Sequence, residues 1–220
     1  MPLHHHDDNC PLCHGNAKLF WSCSLRNVDY YKCNNCQSIF KDRKVYLEQS
    51  AEKSRYQLHQ NNIYDQSYQK FVSPITNAVT RDFALDTLGL DYGCGSGPVI
   101  SYVLESKGYR FQLYDPYFYP GQDYLNHVYH FITCCEVMEH FYRPFEEFKK
   151  LKNLLEAKGK LYCKTNFISN SISVEEFSKW YYKDDPTHVF FYSTKALEFI
   201  KEAFGFTDLF MSKKLITFSL

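Results

Sequence analysis

Leu88-Gly-Leu-Asp-Tyr-Gly-Cys-Gly-Ser-Gly-Pro98 is a short apolar run, an aspartate and three glycines at alternate positions, and a helical pattern from Val99 to Glu105 follows it. The order predicts a strand, a tight turn and a helix. Gly93, Gly95 and Gly97 gather in one loop the freedom to turn with positive φ or to let a ligand touch the backbone. The spacing differs from the G-x-G-x-x-G of dinucleotide sites, and the chain has no G-x-x-x-x-G-K-[ST] phosphate loop, which counts against nicotinamide and nucleoside-triphosphate cofactors. Working outward, Tyr109 to Tyr114 alternates as a second strand after the Lys107-Gly108 turn and ends at Asp115. That acid stands about 20 residues past the loop, the offset expected of a carboxylate that holds a ribose.

D-x-G-x-G-x-G at the end of a first strand resembles motif I of the class I S-adenosylmethionine-dependent methyltransferases, whose loop wraps the methionine part of the cofactor. The resemblance implies an α/β, Rossmann-like domain with a seven-stranded, mostly parallel sheet whose last strand is antiparallel. It also implies S-adenosylmethionine contacts at Asp91, Gly93, Cys94, Gly95, Gly97, Asp115, Pro116 and Glu136. The aromatic loop Pro116 to Gly121 falls at the sheet edge where parallel sheets bind ligands, either flanking an adenine or serving as packing.

Tyr129 to Cys135 reads as a buried strand that runs into Glu136-Val-Met-Glu-His140. This E-x-x-E-H resembles both the coenzyme Q O-methyltransferases and the small-RNA 3′-terminal 2′-O-methyltransferases, and the resemblance implies a divalent metal that grips a diol-like acceptor. Positions i, i+3 and i+4 share one face of a helical turn, so Glu136, Glu139 and His140 can converge on one Mg2+ or Mn2+. The alternative is that Glu139-His140 caps the next helix or shapes the cofactor pocket. Family patterns carry an aspartate near the start of this strand where His130 stands here, a departure that bears on strand entry rather than chemistry.

The segments Glu52 to His59, Asn61-Asn62 and Tyr68 to Phe71, and the phrase Phe177 to Ser193, resemble a group of bacterial zinc-ribbon methyltransferases. Arg55, Tyr56, His59 and Asn62 therefore either line the pocket or lie on a solvated helix. His188 is a general base, a fourth metal ligand or a satisfied structural histidine. The catalytic candidates are His188, His140, Glu139 and Glu136.

Upstream, Cys10-Pro-Leu-Cys13 and Cys33-Asn-Asn-Cys36 give two C-x2-C knuckles about twenty residues apart, the zinc-ribbon spacing. Four thiolates make a closed, structural Zn2+ site, and the hairpin expected within Lys18 to Tyr31 is too small to stand without it. His14 and Cys23 read as bystanders. Lys18, Arg26, Lys32, Lys41, Arg43 and Lys44 outnumber Asp29 and Asp42, which is either solvated surface or a phosphate-docking face.

Three segments result: a zinc-ribbon module over 1–45, a helical linker or cap over 46–86 and a class I methyltransferase domain over 87–220. Helices are expected over Glu48 to Asn61, over Asp65 to Val79 with a break or kink at Pro74, over Pro144 to Leu155 ending at Gly159, and from a Ser193 or Thr194 cap to Phe204. Strands are expected at Lys160 to Lys164 and in a final antiparallel hairpin, Phe206 to Ser212 with Leu215 to Leu220.

With 220 residues, 45% of them hydrophobic, and a net charge of +0, the chain has material for a full core and no global field to recruit nucleic acid or membrane. It has no membrane-length apolar run, its first residues lack a signal-peptide pattern, and His4 to His6 read as a terminus without function. The nine cysteines, four of them in paired knuckles, suit a reducing compartment, so the expectation is a cytoplasmic, bacterial protein of open oligomeric state. The expected activity is S-adenosylmethionine-dependent methyl transfer to a small hydroxylated or aromatic molecule. One alternative is an RNA methyltransferase that docks through the ribbon; another is a non-catalytic interaction protein that binds S-adenosylmethionine.

Overall fold

The computed structural model describes residues 9–58 and 61–220, so His4 to His6 and His59 lie outside it. The chain begins with an antiparallel hairpin, β1 (Ala17–Cys23) and β2 (Val28–Cys33), and adds a short β3 (Ile39–Lys41). Two helices follow, α1 (Gln49–Gln57) and α2 (Gln66–Asp82). The α/β unit then runs β4 (Leu88–Tyr92), α3 (Val99–Glu105), β5 (Arg110–Tyr114), β6 (Tyr129–Cys135), α4 (Pro144–Asn153) and β7 (Leu155–Lys164). It closes with α5 (Val174–Lys179), β8 (Phe190–Phe191), α6 (Thr194–Phe204), β9 (Asp208–Ser212) and β10 (Leu215–Ser219).

The large sheet has the order β5-β4-β6-β7-β10-β9. Its first four strands are parallel, and β10 runs antiparallel to both neighbours. The ends of β4, β5, β6 and β7 therefore fall on one edge, and the loops that leave them build one face. Helices cover both sides, as a parallel sheet requires. Val72, Ile75 and Val79 of α2 and Leu104 of α3 pack with Phe131 and Tyr162 on one side. Phe148 and Leu151 of α4 and Leu197 and Ile200 of α6 pack with Ile132 and Leu161 on the other.

The sheet has six strands where seven were expected. β5 is an edge, and its link to β6 holds a single 3-10 turn at Asp123–Asn126. A further parallel strand needs a crossover of a dozen or more residues on each side, and residues 115–128 cannot supply two. Two other boundaries also move. α4 stops at Asn153 because Leu155 already pairs with Tyr129; the chain then bulges, with Lys158 at φ 67°, before Lys160 resumes opposite Phe131. Pro74 leaves α2 continuous: the Lys70 carbonyl, which a proline cannot serve, accepts the Ser73 hydroxyl at 2.8 Å. His130 links strand entries, its Nδ1 accepting from the Leu88 N–H at 3.3 Å.

The small sheet is not a separate module, because its order is β1-β2-β3-β8. Ile39 pairs with Phe191 and Phe40 with Phe190, and the Phe40 and Phe190 rings stack. No helix among the described residues is long and apolar enough to cross a membrane.

Candidate functional site

A cavity of about 1110 Å³ opens on the face built by the ends of the parallel strands. At one end lies the glycine loop. Gly93 has φ +75°, and a Cβ there would meet the Val137 side chain at 2.5 Å, so both backbone conformation and packing demand glycine. At Gly97 a Cβ would lie 1.9 Å from the Asn61 carbonyl oxygen, which brings the segment before α2 down onto the loop. The Asp115 carboxylate accepts from the Gly95 N–H at 3.0 Å and from the Tyr117 and Phe118 N–H groups at 2.9 and 3.1 Å. It thereby ties the two strand-end loops together beneath the cavity lined by Gly93, Cys94, Gly95, Asp115 and Pro116.

At the other end stand His140 and His188, rings 4.8 Å apart. His140 Nδ1 lies 2.9 Å from the Thr187 carbonyl oxygen and His188 Nδ1 lies 2.7 Å from that of Tyr182. A carbonyl only accepts, so both Nδ1 atoms donate and both Nε2 atoms keep a lone pair. Burial lowers the pKa of both rings, that of His188 to about 4 with further help from His140, so both are neutral. Each Nε2 lies 3.9 Å from the same atom, Glu139 Oε1. Glu139 is 0% exposed; Tyr182 Oη lies 2.5 Å from Oε1 and 2.9 Å from Glu136 Oε2, so its one proton serves one of the two carboxyls at a time, while Oε2 of Glu139 has no partner. Burial raises both carboxyls, and for Glu136 the charge of Glu139 adds to it.

A buried carboxylate oxygen without a donor is costly, and a cation is one way to satisfy it. Glu139, His140 and His188 offer ligand atoms within 4.8 Å of one another, and each imidazole is already oriented through its other nitrogen, as metal-binding histidines are. The donor set fits a divalent transition ion or Mn2+. Glu136 is outside it. The chain enters the 3-10 turn Met138–His140 from Glu136 at φ 53°, so Glu136 precedes the turn that was expected to align it with Glu139 and His140.

The four knuckle cysteines form the second cluster. Cys10 and Cys36 sulfurs are 3.6 Å apart, those of Cys13 and Cys33 are 3.4 Å apart, and all four lie within 4.8 Å of one another. A tetrahedron with Zn–S bonds of ~2.3 Å has edges of ~3.8 Å, so the cluster is compatible with a closed Zn2+ centre. The Asn35 N–H points at the Cys33 sulfur at 3.3 Å, a donor that suits a thiolate.

A protein-family model described as Methyltransferase domain matches residues 64–209. The chain belongs to this methyltransferase family. Its fold is shared with an O-methyltransferase family protein from Burkholderia thailandensis, with TM-score 0.54 at 11% identity over 76% of this chain and 61% of that one. YcgJ from Bacillus subtilis aligns with TM-score 0.48 at 16% identity over 64% of this chain and 70% of that one. None of the curated proteins compared with the sequence matches it.

In this methyltransferase Gly93, Cys94, Gly95, Asp115, Pro116, Glu136, His140 and His188 line the cavity. Asp91 and Gly97 do not: Asp91 is 3% exposed and accepts from Thr133 Oγ1 at 2.8 Å, which gives it a place beneath the loop. Arg55 and Tyr56 line the cavity, whereas Asn62 turns its side chain to the Tyr64 N–H and leaves the wall to Asn61. Trp180 packs against Phe177 and Phe191 instead of facing the cavity. Sequence reasoning missed Glu52, a buried carboxylate that accepts from Tyr117 Oη at 2.5 Å and Tyr56 Oη at 3.1 Å, and it missed the bridging hydroxyl of Tyr182. The available signal was that Glu52 opens the segment, Glu52 to His59, that resembles the bacterial zinc-ribbon group.

Proposed function

We propose that the protein transfers a methyl group from S-adenosylmethionine to a small hydroxylated acceptor, with a divalent cation held by Glu139, His140 and His188. The observation that carries this reading is the continuity of one cavity from the glycine loop and Asp115 to the two histidines. Its volume exceeds what most single ligands need, so cofactor and acceptor can lie end to end.

Methyl transfer from a sulfonium is an in-line displacement, so the protein's work is alignment and removal of the acceptor proton. In this reading Asp115, at the end of β5, would hold the ribose, and Gly93 and Gly95 would let the backbone approach the methionine part. The cation would lower the pKa of a bound hydroxyl. Glu136, which faces the cavity, can accept a hydrogen bond from the acceptor, and the Tyr182 hydroxyl holds that carboxylate in place.

Charge supports a small molecule over RNA. Glu52, Asp115, Glu136, Glu147, Asp184 and Asp185 line the cavity against Arg55, Arg143 and Lys164, a balance that repels phosphates. Three basic residues of the ribbon are spent internally: Arg26 on Asp184, Lys32 on the Asn170 carbonyl and Lys41 on the Asp185 carbonyl.

The test uses the zinc-loaded protein. Mn2+ titration followed by electron paramagnetic resonance is expected to show one tight site that Glu139→Gln abolishes, with S-adenosylhomocysteine affinity unchanged within about twofold. Labelled S-adenosylmethionine supplied with a cell extract is expected to label the small-molecule fraction. A wild-type protein that takes up no Mn2+ removes the cation, and label in RNA removes the acceptor class.

A further inference from the structure

The turn that carries His188 is gripped from outside by the ribbon. Lys41, 4% exposed, donates from Nζ to the Asp185 carbonyl at 2.7 Å and reaches that of Pro186 at 3.4 Å, while its backbone N–H donates to the Val189 carbonyl at 2.9 Å. One residue thus meets three carbonyls of a five-residue turn. On its inner side the same turn is tied to the candidate acceptor end of the cavity: the Val189 N–H donates to the Glu139 carbonyl at 2.9 Å, and the Thr187 carbonyl receives His140 Nδ1. From the third side, Arg55 forks onto the Asp185 carboxylate at 2.8 and 3.2 Å, and that carboxylate also accepts from the Thr187 N–H and hydroxyl.

We propose that Lys41 is a positioning residue for the acceptor end of the cavity, fixing the Asp185–Val189 turn so that the rings of His140 and His188 hold their orientation toward Glu139. The ribbon is then a wall of the site rather than a docking module. The inference rests on the reading that these histidines serve the acceptor side, but its geometry stands apart from any bound cation. A buried ammonium with carbonyl partners is a strong, directional anchor, because charge-assisted hydrogen bonds exceed neutral ones and a buried carbonyl without a donor is costly. Lys41 is not among the residues that line the cavity; it acts through the turn.

The test reads ring tautomers by long-range 1H–15N correlation spectra of the zinc-loaded protein with no acceptor and no second metal, with resonances assigned through His140→Gln and His188→Gln. The wild type is expected to show both rings in the Nδ1–H form. Lys41→Met is expected to mix or broaden both signals while S-adenosylhomocysteine affinity stays within about twofold, and Lys41→Arg, which keeps the charged donors, is expected to restore them. Unchanged histidine spectra in a folded Lys41→Met protein overturn the proposal, as does a wild type without the fixed tautomers. Should Lys41→Met fail to fold, Lys41→Leu, which also lacks a side-chain donor, is read in the same way. Because neither cation nor acceptor is present, failure of the Mn2+ or labelling experiments leaves this result intact.

Discussion

The two ends of the cavity are built in opposite ways. The glycine-loop end comes mostly from one stretch, Leu88 to Asp115, in which strand, loop, helix and strand follow one another and the key partners, Gly95 and Asp115, are 20 residues apart, with Asn61 and Val137 packed onto the loop. The histidine end is assembled from four remote pieces: Lys41 of the ribbon, Glu52 to Tyr56 of α1, Glu139-His140 after β6, and Tyr182 to Val189. A wall made locally tolerates damage elsewhere in the chain. A wall made of remote parts fails when any one of its supports fails.

Cys33→Ser is expected to produce the largest effect. It removes one of four thiolates from the centre that holds the small sheet, and a loss of ~3 kcal/mol would lower the melting temperature of a chain of this length by roughly 6–12 °C. Scanning calorimetry measures this, and binding of S-adenosylhomocysteine at 15 °C checks the comparison. If cofactor affinity collapses along with the histidine spectra, the two ends are not independent.

Gly97→Val probes the opposite end. The added side chain would collide with the Asn61 backbone, and S-adenosylhomocysteine is expected to bind at least about tenfold more weakly, a change of ~1.4 kcal/mol by calorimetric titration. The tautomers of His140 and His188 are expected to survive. Their loss would show that the segment over the loop supports both walls.

The smallest effect is expected at Asp82, which belongs to neither end. Burial alone would raise its pKa, but hydrogen bonds from Arg81, Tyr162 and Lys160 outweigh burial and bring it to about 2. A carboxylate depressed in the fold stabilises above its unfolded value and loses that contribution as pH falls from about 4 through about 2. The urea stability gap between the wild type and Asp82→Asn is therefore expected to be present at pH 6 and to shrink by pH 2.5, with cofactor affinity at pH 7 unchanged.

This contrast explains what the sequence made legible. Spacing rules work where chemistry is local, so the glycine loop, Asp115, the E-x-x-E-H turn and both knuckles could be read directly. The same rules failed where a tertiary contact decided the outcome. Glu136 was expected on one helical turn with Glu139 and His140, but its left-handed backbone keeps it off that turn, and its carboxyl meets Glu139 only across the Tyr182 hydroxyl. Glu52 looked like one charge among many on a polar helix until Tyr117 closed on it from 65 positions downstream. The seventh strand was expected from family resemblance, and only the short link after β5 excludes it. Lys41 read as one of six basic residues on a small module, because nothing local announces a partner at Asp185.

The pairing of Ile39 with Phe191 joins segments roughly 150 residues apart. During synthesis the cysteines of the ribbon precede β8 by more than 150 residues, and their sheet waits for its fourth strand until that stretch has emerged. Contacts of such long range form late, because the entropy of closing the loop must be met before they contribute. A chain cut short before residue 190 would keep all four pieces of the histidine wall, yet it would lack the strand that pins the ribbon beside them. The order of assembly makes emergence of β8 a precondition for bracing that wall from the ribbon side.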